Sequence, residues 1–337
     1  MTLIDTFSTG LGYVPEIEEF QNQVHQSPAF KEHFRAIWDT QRTCVSTQMI
    51  RLLLGPPGVG KSTLISYYLK LVRADYVSKG KPDPVVYVSL DAKLGVRGIL
   101  ENIALAIGDP PSSASAPVLG KRIRDYAHEL GKELIIIDEA QHALPGNTSL
   151  RLQEAADAFK VLTQNNEEDK TIKRGLPLIL AGTPELFRLL NESVSKDSKE
   201  EQFQQRCEAS ILIKPPLKAN SREWKSILAA YEKKCPRDII TLTESEVARR
   251  FFAAAQGNYR RTRKILVRAL DRADPCQQVR LKDLGEAYDY VEAKKIFTKN
   301  PFTCDKNTLD KMVVTVENKC RDSIAVWDDI ERSKINV

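Results

Sequence analysis

Cysteine is sparse and badly placed for structural chemistry. The six cysteines, Cys44, Cys207, Cys235, Cys276, Cys304 and Cys320, are scattered through 337 residues, with no Cys-x-x-Cys pair and no histidine cluster beside them. That spacing excludes a disulfide scaffold and the common zinc modules, and it fits thiols in a reducing compartment. No apolar run approaches the roughly 20 residues that cross a bilayer. The start, Met1-Thr-Leu-Ile-Asp5, lacks a basic segment followed by an apolar one, so the expectation is a cytoplasmic protein with no membrane partner. Neither sign of charge dominates: the net charge is only +5, and a polyanionic partner has to be argued from where the basic residues lie. No acidic triad stands in a nuclease-like context. What remains is 42% hydrophobic residues in a chain long enough for two or three structural units.

The most informative stretch is Gly55-Pro56-Pro57-Gly58-Val59-Gly60-Lys61-Ser62, which reads G-x-x-x-x-G-K-[ST] between an apolar run, Ile50 to Leu54, and a helix-like segment from Thr63 to Val72. Glycines let successive backbone N–H groups turn toward a polyphosphate, and the following helix N-terminus adds partial positive charge. The pattern predicts ATP contacts along Gly55 to Thr63, with Lys61 on the β- and γ-phosphates and Ser62 on Mg²⁺. A second segment, Leu134-Ile-Ile-Ile-Asp138-Glu139, is too apolar for a surface and ends in two carboxylates. It reads as a buried parallel strand whose carboxyl end lines a ligand crevice. Asp138 is then the second Mg²⁺ ligand and Glu139 the group that orients or deprotonates water. In-line hydrolysis of ATP is the reaction these parts suit.

Around these motifs the chain alternates strands and helices: Val85 to Leu90 as strand, Val96 to Ile107 and Lys121 to Leu130 as helices, Leu150 to Leu162 as helix, and Leu176 to Ala181 as strand. Alternation predicts a parallel sheet covered by helices. Polar stretches from Thr163 to Gly175 and Asn191 to Glu201 read as loops. Beyond Pro215-Pro216 only helical patterns appear. Four segments are therefore expected: a helical extension over 1–45, an α/β core over 46–216, a helical lid over 217–293, and a tail over 294–337 that engages a partner.

With these pieces in place the chain resembles the AAA+ ATPases, and among them the TniB/TnsC family of transposition regulators, over about Arg42 to Glu292. Gly55 to Ser62 is similar to a Walker A motif and Asp138-Glu139 to a Walker B motif. Ala181-Gly-Thr183-Pro-Glu185 resembles the sensor 1 segment, which assigns Thr183 to the γ-phosphate or its water. Gly257-Asn-Tyr-Arg260 is similar to the sensor 2 pattern, which puts Arg260 over the nucleotide, with Arg261 beside it as the alternative. Arg206, in Gln205-Arg206-Cys207, stands where the family carries an arginine finger for the neighbouring subunit's ATP. The phrases that narrow AAA+ to the transposition branch are Pro84-Val-Val-Tyr-Val-Ser-Leu90, Leu94-Gly-Val-Arg-Gly-Ile-Leu100, Ala106-Ile-Gly-Asp109 and Asp138-Glu-Ala-Gln141-His142, taken in that order.

The resemblance implies a bacterial ATPase, with ATP and Mg²⁺ as ligands, that assembles as a ring or helical filament on double-stranded DNA. It would link a target-selection protein of TniQ/TnsD type to the transposase and reset by hydrolysis. Its DNA contacts would be loop residues of the core, Lys93, Arg97, Lys121 and Arg122, binding phosphates without reading sequence. Two alternatives stand beside it: a replication-initiator or clamp-loader-like AAA+ ATPase, and a signalling or secretion-associated AAA+ ATPase that binds no DNA. Arg260 to Arg272 also forms a wheel with Ile265, Leu266, Ala269 and Leu270 on one arc and Arg260, Arg261, Lys264, Arg268 and Arg272 on the other, a pattern most often just solvated.

Overall fold

A computed structural model describes residues 15–43, 49–91, 94–110, 113–144, 149–163, 175–191, 206–291 and 297–333. The chain divides into two compact units, one of residues 28–214 and 325–337 and one of residues 1–27 and 215–324. Among the described residues no helix is long and apolar enough to cross a membrane.

The first unit is built on five parallel strands: β1 (Ile50–Leu54), β2 (Val85–Ser89), β3 (Leu134–Asp138), β4 (Leu178–Gly182) and β5 (Cys207–Leu212), in the order β2-β3-β4-β1-β5. Strands β3 and β4 are buried at every position, which is why they read as unbroken aliphatic runs: helices cover both faces of a parallel sheet. Within the unit those helices are α2 (Pro28–Thr43), α3 (Lys61–Ser78), α4 (Val96–Ala106), α5 (Ala116–Glu129), α6 (Ser149–Thr163) and the short α7 (Arg188–Asn191), while α1 (Pro15–Asn22) belongs to the second unit.

Strand β5 has no clear signal in the sequence. Its burial alternates irregularly, with Glu208 and Ala209 exposed, as an edge strand allows. It pairs with β1 across a register irregularity between Arg51 and Leu53. Arg51 straddles this edge, donating to the carbonyl oxygen of Ala36 on α2 at 2.8 Å and pairing with Glu208 on β5. Behind the sheet, Gln41 on α2 donates to Glu133 at 2.7 Å, and Tyr76 on α3 donates to the same carboxylate at 2.6 Å. The buried amide of Gln41 is thus satisfied by a half-buried carboxylate that Tyr76 also holds.

The order of strands brings the ends of β1, β4 and β3 side by side. Leu54 stands opposite Gly182, and Ile137 opposite Leu180. Because all three strands run the same way, the loops that follow them open on one edge of the sheet, the place where open α/β sheets bind ligands.

The second unit is helical: α1, α8 (Arg222–Lys233), α9 (Ser245–Ala255), α10 (Tyr259–Arg272), α11 (Leu281–Val291) and α12 (Lys306–Ser333) up to residue 324. Its core is aromatic and aliphatic. Trp224 is fully buried with its indole N–H on the carbonyl oxygen of Ala248 at 2.9 Å, and Phe251 meets Phe302 edge-on at 5.0 Å between ring centroids. The apolar arc Ile265, Leu266, Ala269 and Leu270 is entirely inside, as the wheel anticipates.

Segments from early and late in the chain both contribute to this unit. Phe20 of α1 meets Tyr231 of α8 with tilted rings 5.8 Å apart between centroids, and Arg263 of α10 donates to the carbonyl oxygen of Gln21 at 3.0 Å. Phe302, Leu309, Met312, Val313 and Val316 lie in the same apolar cluster. The described part of the N-terminal extension is therefore divided between the units, α1 in the helical one and α2 in the sheet one, and the first half of the tail is packed core.

Candidate active site

The loop after β1 is shaped by three glycines. Gly58 and Gly60 have φ of 78° and 107°, values that other residues adopt only with strain. Gly55 has an ordinary backbone but no room: a Cβ there would sit 2.7 Å from Val59 Cγ1 and 2.9 Å from the Ile213 carbonyl oxygen. Gly60 caps α3, and the first turn of that helix closes with Leu64 N–H on the Gly60 carbonyl oxygen at 2.9 Å. Lys61 is the first residue of the helix and is buried, 5% exposed. A buried ammonium needs partners. It donates to the carbonyl oxygens of Gly55 at 2.7 Å and Pro56 at 3.2 Å, which folds it back over its own loop. Ser62 and Thr63 follow in the same turn.

Asp138 ends β3 and is buried. Its Oδ1 accepts from the N–H of Glu139 at 2.9 Å, and its Oδ2 accepts from the hydroxyl of Tyr87 on β2 at 3.4 Å. Burial and the neighbouring charge of Asp138 push the Tyr87 phenol up from its ordinary value, so it stays a proton donor to that carboxylate. Glu139 adopts a left-handed backbone, φ 53° and ψ 34°. For a residue with a Cβ this costs about 1–3 kcal/mol and concentrates at functional sites. It reverses the chain into a 3₁₀ turn, Ala140–Ala143, begun by His142 N–H on the Glu139 carbonyl oxygen at 2.9 Å. His142 thus serves as a helix-start contact through its backbone.

Gln141, in that turn, reaches both ways. Its Nε2 donates to Glu139 Oε2, and its Oε1 accepts from the N–H of Thr183 at 3.2 Å. Thr183 follows β4 and caps a second 3₁₀ turn, Pro184–Phe187. Its Oγ1 is buried and has no hydrogen-bond partner among the described residues, although buried hydroxyls nearly always find one. At the start of the phosphate loop, Gly55 N–H donates to the Gly182 carbonyl oxygen at 3.1 Å. Lys61, Glu139 and Thr183 are therefore tied together by backbone and side-chain bonds at one edge of the sheet, with Asp138 adjoining Glu139.

These residues fit a nucleoside triphosphate with Mg²⁺. The orphaned Thr183 hydroxyl offers a donor where a phosphate oxygen or water would accept. Ser62 and Asp138 could offer hard oxygen ligands, the kind Mg²⁺ takes one or two of while keeping waters and phosphate oxygens for the rest. The described residues hold no group of three His, Cys, Asp or Glu side chains suited to a metal, so an ion here would rely on phosphate oxygens.

The remaining site residues lie elsewhere. Arg206 precedes β5, half-buried, and donates to the carbonyl oxygen of Lys160 near the end of α6 at 3.1 Å; burial lowers its pKa from the ordinary guanidinium value. Arg260 opens α10 of the helical unit and is exposed, while the side chain of Asn258 caps that helix by accepting from the N–H of Arg261 at 3.1 Å. Arg97 pairs with Glu101 one turn along α4 at 2.7 Å. Arg122 is bound to the largely buried Asp109 at 2.8 Å and to the carbonyl oxygen of Pro110 at 2.9 Å. Lys121 is exposed. Lys93, and the loops read over most of Thr163 to Gly175 and Asn191 to Glu201, lie outside the described residues.

Residues 41–190 match the family model described as "AAA domain". The chain contains an AAA domain. That stretch takes in the phosphate loop, Asp138-Glu139 and Thr183, and the sheet with its flanking helices is the AAA+ core. Solved structures agree on the fold. An Aeropyrum pernix ORC2 protein in ADPNP–ADP complexes superposes with a TM-score of 0.56 at 17% identity, over 90% of this chain and 80% of that one. The A. pernix ORC1 protein in complex with DNA gives 0.54 at 17% identity, over 80% of this chain and 66% of that one. The ADP form of the ORC2 protein gives 0.51 at 18% identity, over 79% and 70%. Among curated proteins none matches this chain by sequence.

Two participants escape sequence reasoning, Tyr87 and Gln141. Tyr87 sits inside a strand and is indistinguishable there from a packing aromatic. Gln141 stands two residues after Glu139, and only the left-handed turn at Glu139 brings its amide back onto that carboxylate.

Proposed function

We propose that this protein is an AAA+ ATPase that binds ATP and Mg²⁺ at the loop after β1 and assembles on double-stranded DNA. The observation that carries this reading is the convergence of Lys61, Glu139 and Thr183 at one edge of the sheet, with Asp138 adjoining. In this reading Lys61 leaves the carbonyl oxygens of Gly55 and Pro56 for phosphate oxygens of higher charge density. Glu139 orients the attacking water, and the Thr183 hydroxyl donates to that water or to the γ-phosphate. Bound Mg²⁺ would neutralise phosphate charge as the bond to the leaving oxygen breaks. Arg206 acts on a neighbouring subunit's nucleotide after exchanging its bond to Lys160, and Arg260 is the sensor 2 arginine that the family resemblance implies.

At a finer level the protein acts as a transposition regulator of TniB/TnsC type, coating target DNA and joining a TniQ/TnsD-type selector to the transposase, with the tail as a partner-binding segment. Support comes from the ordered phrases between Pro84 and His142. Of the basic residues assigned to DNA, Lys121 and Arg97 suit the task best: the Arg97–Glu101 pair is exposed and worth little, so it can be traded for a phosphate. Arg122 is better explained by its bond to Asp109. A replication-initiator-like role is the second reading, favoured by the likeness to ORC proteins, one of them in complex with DNA.

Negative-stain microscopy of the protein with long duplex DNA of arbitrary sequence, with and without a non-hydrolysable ATP analogue, tests both. Continuous rings or filaments that need DNA and nucleotide together support the transposition reading. Discrete particles confined to particular sequences favour the initiator. Indifference to DNA, with Lys61→Ala behaving like wild type, rejects both.

A further inference from the structure

Gln141 is held at both ends. Its amide N–H is on the carboxylate of Glu139 and its amide oxygen is on the N–H of Thr183 at 3.2 Å. Gly182 leaves room for it and for Leu186: a Cβ at that position would fall 2.4 Å from Gln141 Oε1 and 2.5 Å from Leu186 Cδ1, closer than a packed side chain tolerates. The left-handed turn at Glu139 is what folds the amide back. Three separate features of the chain, one strained backbone, one glycine and one bifunctional side chain, thus converge on a single bridge between the end of β3 and the end of β4.

We infer that Gln141 is a positioning residue for ATP hydrolysis, orienting the Glu139 carboxylate and making that orientation depend on the place of Thr183. The inference rests on the proposed ATPase reading. An amide is suited to the task because it can donate to a carboxylate and accept from a backbone N–H at the same time. When the Thr183 hydroxyl engages a phosphate oxygen or water, any movement of its backbone is passed through a rigid planar group to Glu139. A carboxylate left to rotate freely would address the water in only a fraction of its orientations, and misplacement on the scale of 1 Å costs about a hundredfold in rate.

The test is steady-state hydrolysis by the full chain with duplex DNA, alongside binding of a fluorescent ATP analogue and thermal melting. Gln141→Glu keeps the volume and the acceptor for Thr183 N–H but replaces the donor with a repelling charge. Gln141→Glu and Gln141→Ala are expected to lower kcat about tenfold to a hundredfold while leaving analogue affinity within about twofold. A packing role would let Gln141→Glu turn over like wild type, and that result overturns the inference while leaving the ATPase reading intact. Equal losses in affinity and kcat overturn it as well. Wild-type protein that binds no analogue and hydrolyses nothing overturns the function and the inference together.

Discussion

The backbone N–H of Gly55 donates to the carbonyl oxygen of Gly182 at 3.1 Å, so the first residue of the phosphate loop is bonded to the last residue of β4. Gly182 is also the residue that makes room for Gln141. A loop that would hold phosphate and a segment that would sense it therefore share one anchoring point. Sheet register alone sets it, since Leu54 and Gly182 are paired partners.

Gly55→Ala follows from this anchor. The added methyl would press on Val59 Cγ1 and on the backbone oxygen of Ile213 at 2.9 Å; the first is a flexible side chain, the second is not. The loop must shift, and nucleotide affinity should fall by about tenfold or more, the equivalent of one charge-assisted hydrogen bond. Calorimetric titration with ATP checks it, and wild-type affinity would show that the loop absorbs the methyl.

Glu139→Gln should bind ATP as tightly as wild type and turn over at least about a hundredfold more slowly, since the variant keeps the shape and loses the base. Retained nucleotide should also hold the protein on DNA. Rapid release from DNA in the variant, with turnover intact, would take Glu139 out of the water-orienting role.

How much of this was legible beforehand follows from how local each signal is. Gly55 to Ser62 and Leu134 to Glu139 announce themselves because each needs several special residues in a row, and their positions at strand ends follow from alternation. β5 does not, because an edge strand carrying Glu208 tolerates polar residues and loses the aliphatic run that marks β3 and β4. Nor do the affiliations of the two chain ends: Phe20 and Phe302 look like any other aromatics, and only long-range packing assigns both to the helical unit. Arg206 illustrates the opposite problem. Its position in the sequence suggests a group reaching outward to a neighbour, and nothing local reveals the carbonyl oxygen of Lys160 that it meets.

Arg206→Ala separates those two aspects. Loss of the bond to Lys160 should lower stability by about 1.5–3 kcal/mol, the range for a hydrogen bond involving a charged group. Loss of a finger should lower turnover on the order of a thousandfold in the assembled state while ATP binding persists. Urea denaturation and DNA-stimulated hydrolysis, measured on the same preparation, report each independently. Reduced stability with unchanged kcat per folded molecule would leave Arg206 as a clasp on α6 and put the finger elsewhere.

Asp305 governs the entry to α12, and with it the burial of Leu309, Met312, Val313 and Val316. Its carboxylate accepts from the hydroxyl of Thr308 at 2.7 Å and from the N–H of Thr308 at 2.9 Å. The hydroxyl bond first, then the backbone bond, lower its pKa to about 2 from an ordinary 3.8. Because the folded value is depressed, the capping contribution is fully present above the unfolded pKa and is lost as pH falls from about 4 through about 2. Asp305→Ala should therefore be less stable than wild type at pH 6, with a gap in urea midpoint that narrows as pH drops toward 3. A gap that stays constant over that range would mean that the side chain acts through its shape and not through its charge.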